Sequence, residues 1–266
     1  MMPVHQNRLT PDRLWKCMSI SLARTADTPL IAAAAGFDCS NVDLEHSAVS
    51  IETASMLSIV ASGAGLIPFV RLPRNDPETI ARLLDSGTHG IIVSHVHDAK
   101  EAARVVDACR FAPWGQRPPI ASNPVNRYGT GTWEEIAAEC NAATVVAVMI
   151  ENAEAVDNVG DIAAVPGLDL LIIGAWDLSA SLGVPMQFEN PAFRSAVTKA
   201  ASGCMSEGKI LGLAGISDFR LLAEFVAIGV RFVSAGTDQI FLREAAFARA
   251  AKLRSIDVQP MGGLKP

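Results

Sequence analysis

The feature that most constrains this chain is an alternation repeated eight times. Short apolar runs rich in Val, Ile and Leu recur along it, separated by longer, often Ala-rich segments with the period of a helix. The runs are KCMSISL, GFDCSNVDLE, LIPFVRL, GIIVSHV, TVVAVMIE, LDLLIIGA, KILGLAG and RFVSAGT. Strands that read as nearly continuous apolar runs are buried on both faces, which calls for a parallel sheet covered by helices. IETASMLSIVAS, DPETIARLLDSG and HDAKEAARVVDACR supply such helices between the runs. Eight units of this kind predict an α/β chain closed into a (β/α)8 barrel. With 266 residues, half of them hydrophobic, the chain can build that core and is read as one domain, 1–266.

The formal net charge of −6 and the lack of any dense Lys/Arg run argue against nucleic acid or an anionic membrane as partner, leaving a small-molecule substrate. Cys17, Cys39, Cys109, Cys140 and Cys204 are scattered with no CxxC pair, so they are expected as free core thiols. MMPVHQNRLTPDRLWK lacks the apolar centre of a signal peptide, and no later run is long enough to span a bilayer. A soluble cytoplasmic protein is expected. Residues 111–132, crowded with Pro, Gly and Asn, predict a long loop over the barrel mouth, after which WEEIAAECN restarts a helix. IFLREAAFARAAKLRSI predicts a strong amphipathic helix that packs on the barrel wall or on a neighbouring subunit, followed by a Gly/Lys/Pro tail.

A barrel builds its active site from residues at the C-terminal ends of its strands. Those ends carry Asp43, Glu45 and His46, then Arg71, then His95 and His97, then Glu151, with Asp177 at a helix start after the sixth run. Glu151 and Asp177 close adjacent apolar strands, so two carboxylates would lie side by side and repel. A hard divalent cation relieves that repulsion, and an oxygen-only donor set favours Mg²⁺ or Mn²⁺ over zinc. The plainer alternative makes both residues helix caps. His46 stands beside Asp43 and Glu45, which could orient its ring for general-base work; the alternative is a surface histidine. The strand period of two puts Asp43 and Glu45 on one face, and one of them is expected to point with His46. Arg71 in PFVRLP needs an anion at a buried strand end: a substrate carboxylate, an enolate oxygen, or a structural partner such as Asp85 or Glu45. Asp85 reads by local pattern as a helix C-terminal residue before Gly87, and His95 and His97 stay open between structure and function. Lys16 and Lys209 precede strands, which argues against an imine mechanism, and no nucleophile elbow is present. The glycine-containing ends AGIS and SAGTD either cradle a phosphate or relieve crowding.

Taken together these residues resemble the HpcH/HpaI aldolase and citrate lyase family, in particular its 4-hydroxy-2-oxo acid aldolases, from about the first strand to the last helix. GFDCSNVDLEHS resembles the family's Asp-x-Glu-His strand, PFVRLPRNDPETIARLLDSG its Val-Arg-x-Pro segment and helix, and IIGAWDLSASLG its Gly-Pro-x-Asp-Leu-Ser turn. The resemblance implies a class II aldolase that cleaves a 4-hydroxy-2-oxo acid to pyruvate, or a related 2-oxo acid, and an aldehyde through an enolate stabilised by a divalent cation (Mg²⁺, Mn²⁺ or Co²⁺). It implies Glu151 and Asp177 as metal ligands, His46 as base, Arg71 as the group that balances the enolate charge, and Asp85 as support for His46. Asp43 joins the catalytic set through its place beside His46. A homohexamer with exchanged terminal helices is implied as well. Met149 stands where relatives have Gln, Ala175 and Trp176 where they have Pro-Ala, and VSHVH and GQRPPI replace Val-Pro-x-Val and Gly-x-Arg-Gly. Met149 and Trp176, with Arg71 and Asp177, are therefore expected to line the substrate pocket and set its preference. The rivals are a lyase for a CoA thioester or malate-like substrate, which would need a basic groove, and a barrel that binds a small carboxylate without turnover.

Overall fold

The computed structural model describes residues 9–120 and 122–257; the expected Gly/Lys/Pro tail and the first half of the polar N-terminal segment lie outside the described residues. All eight predicted runs form strands: β1 (Trp15–Ile20), β2 (Cys39–Asp43), β3 (Ile67–Leu72), β4 (Gly90–Val93), β5 (Val145–Ile150), β6 (Leu170–Gly174), β7 (Ile210–Ala214) and β8 (Val230–Thr237). They pair in parallel in chain order, and β8 returns to β1 to close the barrel. The helices are α1 (Asp27–Ala34), α2 (Ile51–Gly63), α3 (Pro77–Asp85), α4 (Ala99–Cys109), α5 (Trp133–Ala143), α6 (Ala153–Asp157), α7 (Val159–Ala163), α8 (Ala175–Ser181), α9 (Pro191–Ser206), α10 (Phe219–Ala227) and α11 (Asp238–Arg254). Ser50, Asp76, Asp98, Thr132 and Asn152 begin α2 to α6 with side chains that accept from the first-turn N–H groups.

The strand alternation divides the core into two. Outward residues such as Val70, Ile91, Val148, Ile173 and Leu213 pack beneath the helices, while Phe69, Ile92, Ala147, Ile172 and Phe232 fill the barrel itself. Phe69 and Phe232 meet edge to face with centroids 5.6 Å apart and close the interior below the mouth. Gly90 makes room for this plug, since a Cβ there would fall 2.1 Å from the Phe69 ring. All five cysteines are free and buried, and burial pushes the Cys109 and Cys204 thiols up to about 12.

Two expectations are corrected. Residues 111–132 do not cover the mouth. They leave the C-terminal end of α4 and lead through α5 into the start of β5, so they belong to the N-terminal end of the barrel. There Phe111 and Val125 form a small core with Ile136, Ala137 and Cys140. The composition identified a loop, but the side it occupies follows from its position after a helix. The second correction concerns α11, none of whose residues is buried. Successive residues of a helix are about 100° apart, which puts Ile240 and Phe247 on one side and Leu242 and Leu253 on the opposite side instead of along one stripe. Phe241 rests on Phe37 with centroids 6.2 Å apart.

Candidate active site

Glu151 leaves the end of β5 with its carboxylate buried. Its Oε2 accepts from the His95 backbone N–H at 3.0 Å and lies 3.3 Å from His95 Nδ1. Its other oxygen lies against β6, where a Cβ on Gly174 would come within 2.7 Å of Oε1, so glycine is what allows the carboxylate to sit there. Asp177 is exposed in the first turn of α8 and lines the same cavity. Burial, reinforced by repulsion from Glu45 and Asp177, raises the Glu151 carboxyl above the usual range despite the His95 N–H and ring. Neither residue is a cap: Asn152 caps α6, and α8 starts from Gly174 with no side-chain cap.

On the facing strands Arg71 is held from two sides. Its Nη2 and Nε donate to the two Asp43 oxygens at 2.8 and 3.1 Å, and its Nη1 lies 3.0 Å from Glu45 Oε2. Asp43 Oδ1 also accepts from the backbone N–H groups of Glu45 and His46 at 3.0 and 3.2 Å. Burial alone would raise the Asp43 carboxyl, but the Arg71 hydrogen bonds and charge, with these N–H groups, outweigh it and hold the carboxyl below its ordinary value. The same contacts raise Arg71 against its burial.

Glu45, which the sequence offered as a support for the His46 ring or a partner for Arg71, is the hub of the rim. Besides Arg71 it receives Ser94 Oγ at 2.7 Å, lies 2.9 Å from His95 Nε2, and stands 3.8 Å from His46 Nε2. Asp43 and Glu45 therefore share a face on Arg71, and Glu45 is the one whose carboxylate meets the exposed His46 ring. The two open histidines separate: His95, at φ 57°, bridges Glu45 and Glu151, whereas His97 pairs with Glu101 at 3.0 Å at the start of α4. A histidine in a left-handed backbone conformation is uncommon and accompanies a specific demand on its side chain.

Asp85 is not brought to His46. It ends α3 at the opposite end of the barrel and pairs with Arg117 Nη2 at 2.5 Å, so within one chain it cannot support the histidine. Met149 and Trp176 line the cavity as expected. Met149 Sδ is 3.8 Å from Arg71 Nη1, and the Trp176 indole donates to the Gly215 carbonyl at 2.7 Å. Gly215, at φ 92°, leaves space for that ring, because a Cβ would meet Trp176 Cδ1 at 2.6 Å; crowding accounts for this glycine.

The cavity measures about 340 Å³, small but within the range of ligand sites. Arg71 is the one Arg or Lys lining it among the described residues, and no lysine reaches it; Lys209 instead donates to the Leu168 carbonyl at 2.9 Å before β6. No cluster of three or more His, Cys, Asp or Glu poised to enclose an ion occurs among the described residues, so Glu151 and Asp177 would leave most of a coordination shell to water and substrate. Deeper in the wall are Ser19, Asn41 and Ser234, which sequence analysis passed over; the signal was a polar pair inside the buried strand CSNVD.

Residues 20–245 match the family model described as HpcH/HpaI aldolase/citrate lyase. The chain is 37% identical over 255 residues to a 4-hydroxy-4-methyl-2-oxoglutarate aldolase of Chaetomium globosum, covering 92% of this chain and 93% of that one. It is 36% identical over 256 residues to an aldolase of the same name from Hapsidospora irregularis, with 95% of each chain covered. The crystal structure of an HpcH/HpaI aldolase from Desulfitobacterium hafniense DCB-2 superposes with a TM-score of 0.87 at 26% identity, over 93% of this chain and 96% of that one. With eight parallel strands, the Glu151/Asp177 wall and this match across most of its length, the chain belongs to the HpcH/HpaI aldolase/citrate lyase family and is a carbon–carbon lyase of the aldolase type.

Proposed function

We infer that the chain catalyses reversible retro-aldol cleavage of a 4-hydroxy-2-oxo acid to pyruvate, or a related 2-oxo acid, and a carbonyl compound. The observation that carries this is a buried Glu151 crowded by Asp177 and Glu45, facing an Arg71 that is already committed to two carboxylates. The relatives from Chaetomium globosum and Hapsidospora irregularis are named for a substrate of this class.

A divalent cation fits this donor set, because hard oxygen ligands that repel one another are stabilised by positive charge between them. Glu151 and Asp177 would hold it, and their chemistry suits Mg²⁺ or Mn²⁺, with Co²⁺ also accommodated. When bound it supplies Lewis acidity to the 2-oxo group. His46, exposed at the rim with Glu45 beside it, takes the proton from the C4 hydroxyl and returns it in the addition direction. As the C4 carbonyl forms, the C3–C4 bond breaks. Its electron pair passes into the enolate of the 2-oxo acid, and a proton added at C3 gives pyruvate. Arg71, its plane fixed by Asp43, offsets the charge that develops on the enolate oxygen.

The same reading includes a cytoplasmic homohexamer. Supporting it are α11, whose Leu242, Phe247 and Leu253 are exposed in the single chain, and five free thiols suited to a reducing compartment. No helix of the described residues is long and apolar enough to cross a membrane.

The test is deuterium exchange of the pyruvate methyl protons, followed by NMR with Mg²⁺ or Mn²⁺ and again with EDTA. Exchange that disappears with EDTA and returns with the metal is expected. A folded protein that exchanges with neither metal would refute the pyruvate chemistry, and a monomer in sedimentation would refute the hexamer.

A further inference from the structure

The mouth of the cavity has two unlike sides. At one, β2 and β3 bring Asp43 and Arg71, with His46 just beyond β2. At the other, β6 and β7 lead to Ala175, Trp176, Ala214 and Gly215, and Trp176 is the one large side chain of the four. Its indole N–H donates to the Gly215 carbonyl at 2.7 Å. A Cβ on Gly215 would fall 2.6 Å from the Trp176 Cδ1, so glycine is what lets the ring lie there. The hydrogen bond fixes one edge of the indole and occupies the only donor the side chain has. Trp176 is nevertheless 55% exposed, and what it has left to offer a ligand in the cavity is carbon. Apolar surface left this open gains from being covered by something equally apolar.

The position of the indole relates it to the reaction. On the retro-aldol reading, the C4 hydroxyl of the substrate faces His46, and C3 leads to the 2-oxo acid end at Glu151 and Asp177. C4 is tetrahedral, so its remaining substituents turn away from His46. In the closed order of strands β6 is the strand opposite β2, which makes the wall across from His46 the one that carries Trp176. Trp176 also directly precedes Asp177, so it stands beside the end of the substrate to which C4 is joined.

We propose that Trp176 is a specificity residue that seats an apolar substituent of C4, so that the carbonyl compound released carries an alkyl or aryl group on its carbonyl carbon. The proposal rests on the retro-aldol reading above. A hydroxyl group laid on the indole loses hydration and gains no hydrogen bond, because the N–H is already given to Gly215. An alkyl group has no such hydration to lose, and an aryl group adds the attraction between rings. Since the ring is held in place before anything binds, the contact needs little further ordering of the protein.

The experiment measures kcat/KM for addition of pyruvate to propanal, benzaldehyde and glycolaldehyde in the wild type, Trp176→Ala and Trp176→Phe. Each value is divided by that for glycolaldehyde with the same protein, so the intrinsic reactivity of the aldehydes and any general loss of activity cancel when proteins are compared. Trp176→Ala is expected to lower the propanal ratio by about fourfold, the worth of one buried methyl-sized group, and the benzaldehyde ratio by about tenfold. Trp176→Phe, which keeps an aromatic face, should stay closer to the wild type. If the indole only narrows the pocket, Trp176→Ala raises both ratios, benzaldehyde most, and the proposal is overturned. Ratios that do not move overturn it too, as does a wild type that adds pyruvate to neither propanal nor benzaldehyde. Pyruvate proton exchange is recorded in the same samples. Exchange in the wild type alongside any of those results removes the role of Trp176 and leaves the aldolase reading standing; no exchange removes both.

Discussion

At the N-terminal end of the barrel Arg110 donates to the Gly167 and Asn141 carbonyls and pairs with Asp169 at 2.7 Å, and Asp169 in turn accepts from the Val146 N–H. At the C-terminal end four carboxylates, Asp43, Glu45, Glu151 and Asp177, gather with a single guanidinium, Arg71, which pairs with the first two alone, and two exposed histidines stand beside them. The first set is closed: each charge has an opposite charge or a peptide dipole, and nothing is left for a ligand. The second is short of positive charge. A protein gains stability from the first arrangement and gives some up in the second, which is what a site awaiting a cation and an anionic substrate requires.

If that contrast is sound, substitutions at the two ends should divide cleanly between activity and stability. The largest effect belongs to Glu151→Gln, which keeps the shape and removes the charge: pyruvate exchange should fall by about 10³-fold, while the melting temperature of the metal-free protein holds or rises. Retained exchange would mean that this wall is not the reactive one. Arg110→Met should do the reverse, costing about 3 kcal/mol in urea unfolding by stranding Asp169, with kcat per folded molecule unchanged; a loss of turnover would show that the two ends are coupled. Arg71→Lys keeps the charge but cannot span Asp43 and Glu45 together, and kcat/KM should drop by about 10²-fold. An active lysine variant would reduce Arg71 to a mere source of charge.

The smallest effect concerns His89, just before β4. Burial, with the charge of Arg127 adding, lowers it from 6.5 to about 4. The folded state therefore binds fewer protons than the unfolded chain between those values, and stability falls as pH drops from 6.5 toward 4. By pH 5 the loss attributable to this group is about 2 kcal/mol. His89→Gln should flatten that part of the stability profile, and a slope that survives the substitution would assign it to other groups.

The difference between the ends also explains what could be read from sequence. Strands buried on both faces leave continuous apolar runs, so all eight were legible, and a carboxylate at the end of such a run, as at Glu151, announces itself. Arg117 lies 32 residues after Asp85, and that pairing has no local signature. The side of the barrel on which 111–132 lies was implicit in the order of elements, but composition drew attention to the loop and not to what it joins. Glu45 and His95 were visible as polar residues at strand ends; that they bridge to one another depends on the turn His95 makes. Asn41 was hidden because strand pattern directs the eye to the apolar positions.

The aromatic plug of Phe69 and Phe232 gives the pocket one opening. Whatever enters must leave by the same way, and cleavage yields two molecules where one went in. Traffic in the cavity is single-file, so in a closed vessel each product obstructs the next substrate, and net flux depends on how quickly other enzymes clear the doorway.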